Sequence, residues 1–262
     1  MTNLRLELEN ERLNNETKRT LGIEVEFNRP TNLSKSETVE KLNETGITVV
    51  DASYGHSVNS NWKVVTDGST DLELVSPILK LEELKAQLKA LLEKMNEIGC
   101  SVDRRCGVHL HVGVSEFKKK NFINLLNIYK NSEKVMDSLQ PRSRRNSNNT
   151  YCASLQRKNI EDLVGYSARS NVRYHKINFC CFATYGTVEF RHQAGTLNFE
   201  KIMLFVAITT AMTEKASCPP SKVHKFNSSK PYSMAKMFQV IRMSKRNPEM
   251  VNFAKARVSA LA

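Results

Sequence analysis

Gly107-Val108-His109-Leu110-His111-Val112-Gly113 holds two of the chain's six histidines, one residue apart. Side chains in a strand alternate faces, so His109 and His111 point one way while Val108, Leu110 and Val112 point the other. The flanking glycines let another backbone or a ligand come close. A strand with an apolar back and two imidazoles in front presents something, and its neighbours decide what.

Three other segments share the design. In Leu21–Phe27, the apolar residues Ile23, Val25 and Phe27 oppose Glu24 and Glu26. In Thr70–Val75, Leu72 and Leu74 oppose Asp71 and Glu73. In Thr187–Gln193, Val188 and Phe190 oppose Glu189 and Arg191. Stacked in one sheet, they give an apolar back for helices to cover and a front of carboxylates, imidazoles and one guanidinium. An antiparallel sheet with a wet face is the plain alternative. Wet faces, however, mix Lys, Thr, Ser and Glu, whereas acids and His dominate here. Carboxylates at i and i+2 stand about 7 Å apart and repel by about 2 kcal/mol at an effective dielectric near 20. A divalent cation reverses that sign. Oxygen-rich ligation suits Mg²⁺ or Mn²⁺, and a mixed carboxylate–imidazole set suits Mn²⁺ or Zn²⁺ as well. Taken singly, His109 and His111 read equally as structural residues.

Outward from these strands, Ser36 with Glu40 starts a short helix ending at Gly46, and Ile47–Val50 is a strand. Trp62–Thr66 is another strand, with Trp62 read as core, and Asp67-Gly68 marks a tight turn after it. Leu79–Ile98 is the clearest helix, with Leu81, Leu84, Leu88, Leu91, Leu92 and Met95 on one face. A short strand lies near Ser101–Asp103. Ser115 caps a helix running to about Leu139. A basic, Asn-rich loop over 140–152 precedes a short helix near 157–166. Segments 176–184 and 187–193 form a hairpin around Tyr185-Gly186. Asn198–Ala216, Ser233–Lys245 and Pro248–Leu261 are helices, with Pro219-Pro220 breaking the chain between the first two. Strands mixed with helices and joined partly by hairpins predict an α+β fold: a mainly antiparallel, curved sheet with helices on its apolar back.

The chain has 262 residues and a net charge of +12. The last 62 residues carry 11 Lys+Arg against 2 Asp+Glu, so +9 of the excess lies there. Such a tail holds nucleic acid or an anionic substrate, or is a solvated face. No apolar run approaches the roughly 18 residues that span a bilayer, and the charged N-terminus is unlike a signal peptide. The expectation is a cytoplasmic protein without a membrane partner. The six cysteines form no Cys-x-x-Cys pair and read as reduced thiols. No Gly-x-x-x-x-Gly-Lys-Ser/Thr or Gly-x-Gly-x-x-Gly phosphate loop is present.

Five segments in order carry a resemblance: Gly22-Ile-Glu-Val-Glu-Phe27, Trp62 with Asp67-Gly-Ser69, Glu73-Leu-Val-Ser-Pro77, Gly107-Val-His-Leu-His-Val112, and Thr187-Val-Glu-Phe-Arg191. Gly195-Thr196 follows them. Together, over about residues 20–212, they resemble the amidoligase family, carboxylate–amine ligases with a glutamine-synthetase-like fold. The resemblance implies a catalytic domain over 20–216; by their own composition residues 1–19 read as a charged leader or helix, and residues 217–262, where the chain is more basic than the family pattern, as a basic helical extension packed on the same domain.

It also implies a reaction. ATP phosphorylates a substrate carboxylate, and an amine attacks the acyl phosphate to give an amide. Mg²⁺ or Mn²⁺ would bridge the phosphates. By position, Glu26, Glu73 and Glu189 are the implied metal ligands, with Glu24 next, and His109 and His111 touch metal or phosphate. Glu26, Glu189 and Arg191 form the catalytic set, and Arg191 pairs with a phosphate oxygen. Asp67 and Ser69 bind carboxylate or amine substrate, or are plain turn residues. Arg144, Arg145, Asn149 and Tyr151 of the basic loop are substrate or phosphate contacts, or belong to a loop without a role. Lys176 and Asn178 share a pleat face, from which Lys176 reaches the nucleotide and Asn178 the substrate. Glu26→Gln and Glu189→Gln are each expected to abolish ligation and to leave the metal-free fold at least as stable. Two other functions use the same residues: a metal-dependent hydrolase, or a silent member whose basic C-terminal region holds nucleic acid.

Overall fold

Strict alternation in Leu21–Phe27 makes it the central strand, β1, with Ile23, Val25 and Phe27 buried on the core side. A computed structural model describes residues 17–52, 58–66, 68–146, 148–163, 172–217 and 224–261. The other strands are β2 (Val49–Asp51), β3 (Trp62–Thr66), β4 (Leu72–Val75), β5 (Gly107–Gly113), β6 (Ile177–Asn178) and β7 (Thr187–Ala194). They form one open sheet in the order β2-β3-β4-β1-β5-β7-β6. Every neighbouring pair is antiparallel except β2–β3. The expected α+β architecture is the one observed.

The apolar back of the sheet joins three long helices in one core: α2 (Leu81–Glu97), α3 (Lys119–Ser138) and α6 (Phe199–Ser217). The inward stripe of α2 is Leu84, Leu88, Leu91, Leu92 and Met95, all buried. Its chain reverses at Gly99, whose φ of +86° only glycine takes without strain. Close backbone approach is real at Gly195, where a Cβ would stand 2.5 Å from Cys106 Cβ. Among the described residues no helix is long and apolar enough to cross a membrane.

Local chemistry moves several boundaries. Helix α1 (Lys35–Asn43) is capped by Ser34, not Ser36. Ser34 Oγ accepts from Glu37 N at 3.1 Å and Glu37 accepts from Ser34 N at 2.7 Å, a complete capping box. Ser36 faces Asp51 instead, at 3.1 Å. Before α3, residues 114–117 make a turn closed by Phe117 N to Val114 O, so the helix starts four residues after Ser115. Near Ser101 there is one bridge to Asn28 rather than a strand. Four-residue α4 (Ile160–Leu163) stands within the expected 157–166 helix, of which 164–166 lie outside the described residues.

The largest correction concerns 176–185. It is not one arm of a hairpin but two strand residues followed by a helix, α5 (Cys181–Tyr185). The Asn178 side chain accepts the Cys180 N–H at 2.9 Å, an Asx turn that leads the chain out of the sheet. Gly186, left-handed at φ 65°, ends α5 and starts β7. The basic region holds α7 (Met234–Val240), α8 (Met243–Arg246) and α9 (Pro248–Leu261), so the expected Ser233–Lys245 helix is broken at Arg242, φ 59°. Met237, Phe238, Ile241, Met243, Val251 and Ala254 belong to the same apolar core as the sheet.

Candidate active site

Strand register lines up the front side chains in rows, because partners across an antiparallel pair share a face. One row runs Val65–Glu73–Glu26 and the next Lys63–Val75–Glu24–His109. A third runs Gly22–His111–Glu189–Asn178. Glu24, Glu26, Glu73, His109, His111 and Glu189 therefore occupy one face of β1, β4, β5 and β7.

His109 stands among three carboxylates. Its Nδ1 lies 3.1 Å from Glu24 and 3.6 Å from Glu189, and its Nε2 lies 3.8 Å from Glu26. His111 Nε2 is 3.5 Å from Glu24, and its Nδ1 is 3.1 Å from the Thr187 hydroxyl. Glu26, almost fully buried, accepts the Gly107 N–H at 2.5 Å. Ligand atoms of Glu24, Glu73 and His109 lie within 4.8 Å of one another, as do those of His111, Cys181 and Glu189.

Electrostatics follow from this crowding. Burial pushes the Glu24 carboxyl up, but hydrogen bonds and charge from His109 and His111 win and hold it well below the usual range. Burial pushes His111 down, but Glu24 and then Glu189 together more than reverse it, so His111 is raised. Glu189, pushed up by burial, is held low by Arg191, His111 and His109. Arg191 bonds Glu189 through Nη1, and its Nε donates to Tyr151 O at 3.3 Å.

β7 carries one extra residue opposite β5, because Leu110 pairs with Phe190 while Val108 pairs with Gln193. Arg191 faces Glu189 on the front. Its neighbour His192 turns to the back, where Nδ1 accepts from the Tyr129 hydroxyl at 2.7 Å and Nε2 lies 2.8 Å from Asp137.

The remaining expected residues divide. Asn178 is in the cluster, donating to Glu189 at 2.7 Å. Arg144 is buried at its edge, with Nη2 bonded to Arg105 O at 3.2 Å and Cys106 O at 2.5 Å. A Cβ at Gly107 would stand 3.1 Å from both Arg144 Nη2 and His109 Nε2, so glycine makes room for both. The Nε of Arg144 is buried without a hydrogen-bond partner. Tyr151 lies at the rim, more than half exposed, edge-on to Tyr174.

Other residues are placed elsewhere. Lys176 is fully buried on the back, 2.8 Å from Glu133 and 2.6 Å from Asp137. The sequence reading gives it to the nucleotide; here its ammonium is taken up by these two carboxylates, and the two-residue β6 does not carry the pleat of Asn178 back to it. Arg145 donates to Gln140 O at 2.9 Å and to Leu261 O at 3.2 Å, which ties the loop to α9. Asn149 caps a short 3-10 turn by accepting Tyr151 N at 2.8 Å. Ser69 is exposed between β3 and β4, and Asp67 lies outside the described residues. Asp71 precedes β4 and pairs with Arg29.

Sequence reading missed three site residues. Lys63 is buried and shares the front face with Glu24 by register; the alternation of Trp62–Thr66 already placed it opposite Trp62 and Val64. Thr187 was visible as the front residue before Glu189. Cys181 carried no signal, since its approach depends on the Asx turn.

Residues 17–213 match the family model described as "Putative amidoligase enzyme". The chain belongs to this amidoligase family. Comparison with curated proteins gives no match. A solved structure, "Crystal structure of the complex between Prokaryotic Ubiquitin-like Protein Pup and its Ligase PafA", is similar at a TM-score of 0.47 and 12% identity. The similarity covers 93% of this chain and 63% of that one, so this chain spans less than two thirds of its length.

Proposed function

We propose that the protein is an ATP- and divalent-cation-dependent carboxylate–amine ligase that forms an amide through an acyl phosphate. One observation carries this reading. Four carboxylates and two imidazoles converge on one sheet face, with Arg191 and Lys63 on the same face. The donor set fits Mg²⁺ or Mn²⁺, being rich in carboxylate oxygen with imidazole at its centre. Glu24, Glu26, Glu73 and Glu189 would hold the cations, with His109 and His111 beside them. The cations supply neutralisation of phosphate charge.

The residues of the chain have separable roles. Glu26 is fixed by the Gly107 N–H, and Glu189 by Asn178, so both carboxylates are held on rigid strands before anything binds. Arg191, bonded to one Glu189 oxygen, presents its fork to a phosphate oxygen. Buried Arg144, whose Nε has no partner, receives an anionic group at the Gly107 end of β5. Tyr151 and Tyr174 form the rim through which substrate enters. The net reaction joins acid and amine, splits ATP to ADP and phosphate, and removes one water from the joined substrates.

The test is an ADP-release screen of the full chain with Mg²⁺ or Mn²⁺ over paired amino acids, polyamines and nucleotides. Mass spectrometry then searches for a product one water lighter than its two substrates. Amide formed only with ATP supports the reading. Hydrolysis of simple phosphoesters without ATP, and no amide, overturns it.

A further inference from the structure

The front face carries two different ligand sets side by side. Glu24, Glu73 and His109 form an oxygen-rich group. His111, Cys181 and Glu189 form a second, which contains a thiol. We propose that this second group is a site for a thiophilic divalent cation, Zn²⁺, bound by the Cys181 sulfur, a His111 ring nitrogen and a Glu189 carboxylate oxygen. Hard cations such as Mg²⁺ have no use for sulfur, whereas Zn²⁺ prefers a set of sulfur, nitrogen and oxygen.

The three ligands come from three separate elements, β5, α5 and β7, so the site is assembled by the fold rather than by a local motif. Ligand atoms already lie within 4.8 Å of one another, and Cys181 Sγ is 3.5 Å from Glu189 Oε2. Zn–S and Zn–N bonds of about 2.3 and 2.0 Å need only small closure from there. The surroundings are built as for a ligand set. The two ring nitrogens of His111 face Thr187 Oγ1 at 3.1 Å and Glu24 at 3.5 Å, so whichever takes the cation, the other keeps a partner that holds the ring. Tyr185 meets the ring edge-on. Asn178 Nδ2 touches both other ligands, at 2.7 Å from Glu189 and 3.1 Å from Cys181. Three protein ligands leave a fourth position for water or a substrate atom. Binding converts the thiol to a thiolate and releases its proton to solvent. Cys180, the adjacent thiol, points away toward Leu163 O at 3.9 Å and takes no part.

The site is tested without ATP or substrate, so its outcome is separate from that of the amide-forming reading. The full chain, stripped of metal and kept reduced with a phosphine, is titrated with Co²⁺. The expected result is a sulfur-to-cobalt charge-transfer band that saturates at one sulfur-bound Co²⁺ per chain, with tetrahedral visible bands, both lost on addition of Zn²⁺. The charge-transfer band is lost in Cys181→Ser and kept in Cys180→Ser. Asn178→Ala keeps the band and weakens Zn²⁺ by roughly 10–100-fold. Should Cys181→Ser fail to fold, alkylation of the wild-type chain decides: Zn²⁺, and not Mg²⁺, protects Cys181 from iodoacetamide. Absence of the band in the wild type, its survival in Cys181→Ser, or alkylation of Cys181 unaffected by Zn²⁺ overturns the site.

Discussion

Adjacent residues of β7 belong to two charged clusters on opposite faces of the same sheet: Arg191 to the front one, His192 to the back one. In the back cluster, charges and hydrogen bonds close on themselves. Lys176 lies between Glu133 and Asp137, His192 between Asp137 and the Tyr129 hydroxyl. Gln156 Nε2 and Asn146 N supply further donors to the two acids. In the front cluster, carboxylates gather around imidazoles, with Glu26 and Glu73 directly opposed. Both clusters are largely buried, so burial does not mark function. The difference lies in partners: both back acids find their donors within the chain, whereas the front set is the one that, on the proposed function, takes cations.

The sharpest way to break this contrast is from the back. Lys176→Met leaves Glu133 and Asp137 buried without their ammonium and should cost about 3–5 kcal/mol of stability, read as the midpoint of urea unfolding. If it costs under about 1 kcal/mol, the back is not the closed structural cluster described here. From the front, Glu26→Gln should lower amide formation about a thousandfold, several kcal/mol of transition-state stabilisation. Its fold should stay within about 1 kcal/mol of the wild type, because Gln keeps an acceptor for the Gly107 N–H. For Glu189→Gln the Arg191 pairing replaces the sequence-based expectation of an unharmed fold with a predicted cost. Its carboxylate pairs with Arg191, so the substitution should remove activity and also cost about 1–3 kcal/mol.

A smaller, directional effect separates the two clusters by pH. Burial first, then Lys176, push the His192 pKa down against the pull of Asp137, so the native state favours the neutral ring. Its share of stability is present above the ordinary histidine value and lost as pH falls below it. His111 is the reverse. Its pKa is raised, so its share in the metal-free chain is full below the ordinary value and lost as pH rises through the raised one. Thermal unfolding of the metal-free protein across pH 5–9 should show His192→Asn flattening the acid side and His111→Gln flattening the alkaline side. Flattening on the same side for both would contradict the opposed environments.

Much of the front was legible from period-2 alternation. β1, β5 and β7 are long enough for the pleat to fix the facing of Glu24, Glu26, His109, His111 and Glu189. Where regular strand geometry stops, the reading stopped too. Lys176 and Asn178 looked like residues of one face, yet β6 is two residues long. Asn178 stays beside Glu189, while Lys176 goes to α3. The same Asx turn brings Cys181 to the site from what alternation made a strand residue. The back cluster was invisible because its acids come from α3, whose helical face is set by packing against β7. The alternation of Trp62–Thr66 by itself sets Lys63 on the face opposite Trp62 and Val64.

The central claim, that the front face is built for cations and the back is not, is tested most directly by unfolding free energy with and without Mn²⁺. Mn²⁺ at a hundredfold its Kd should stabilise the wild type by about 2.7 kcal/mol. The increment should persist in His192→Asn and fall sharply in Glu26→Gln and Glu73→Gln. A wild type indifferent to Mn²⁺, or an increment that survives both glutamine substitutions, would contradict the account.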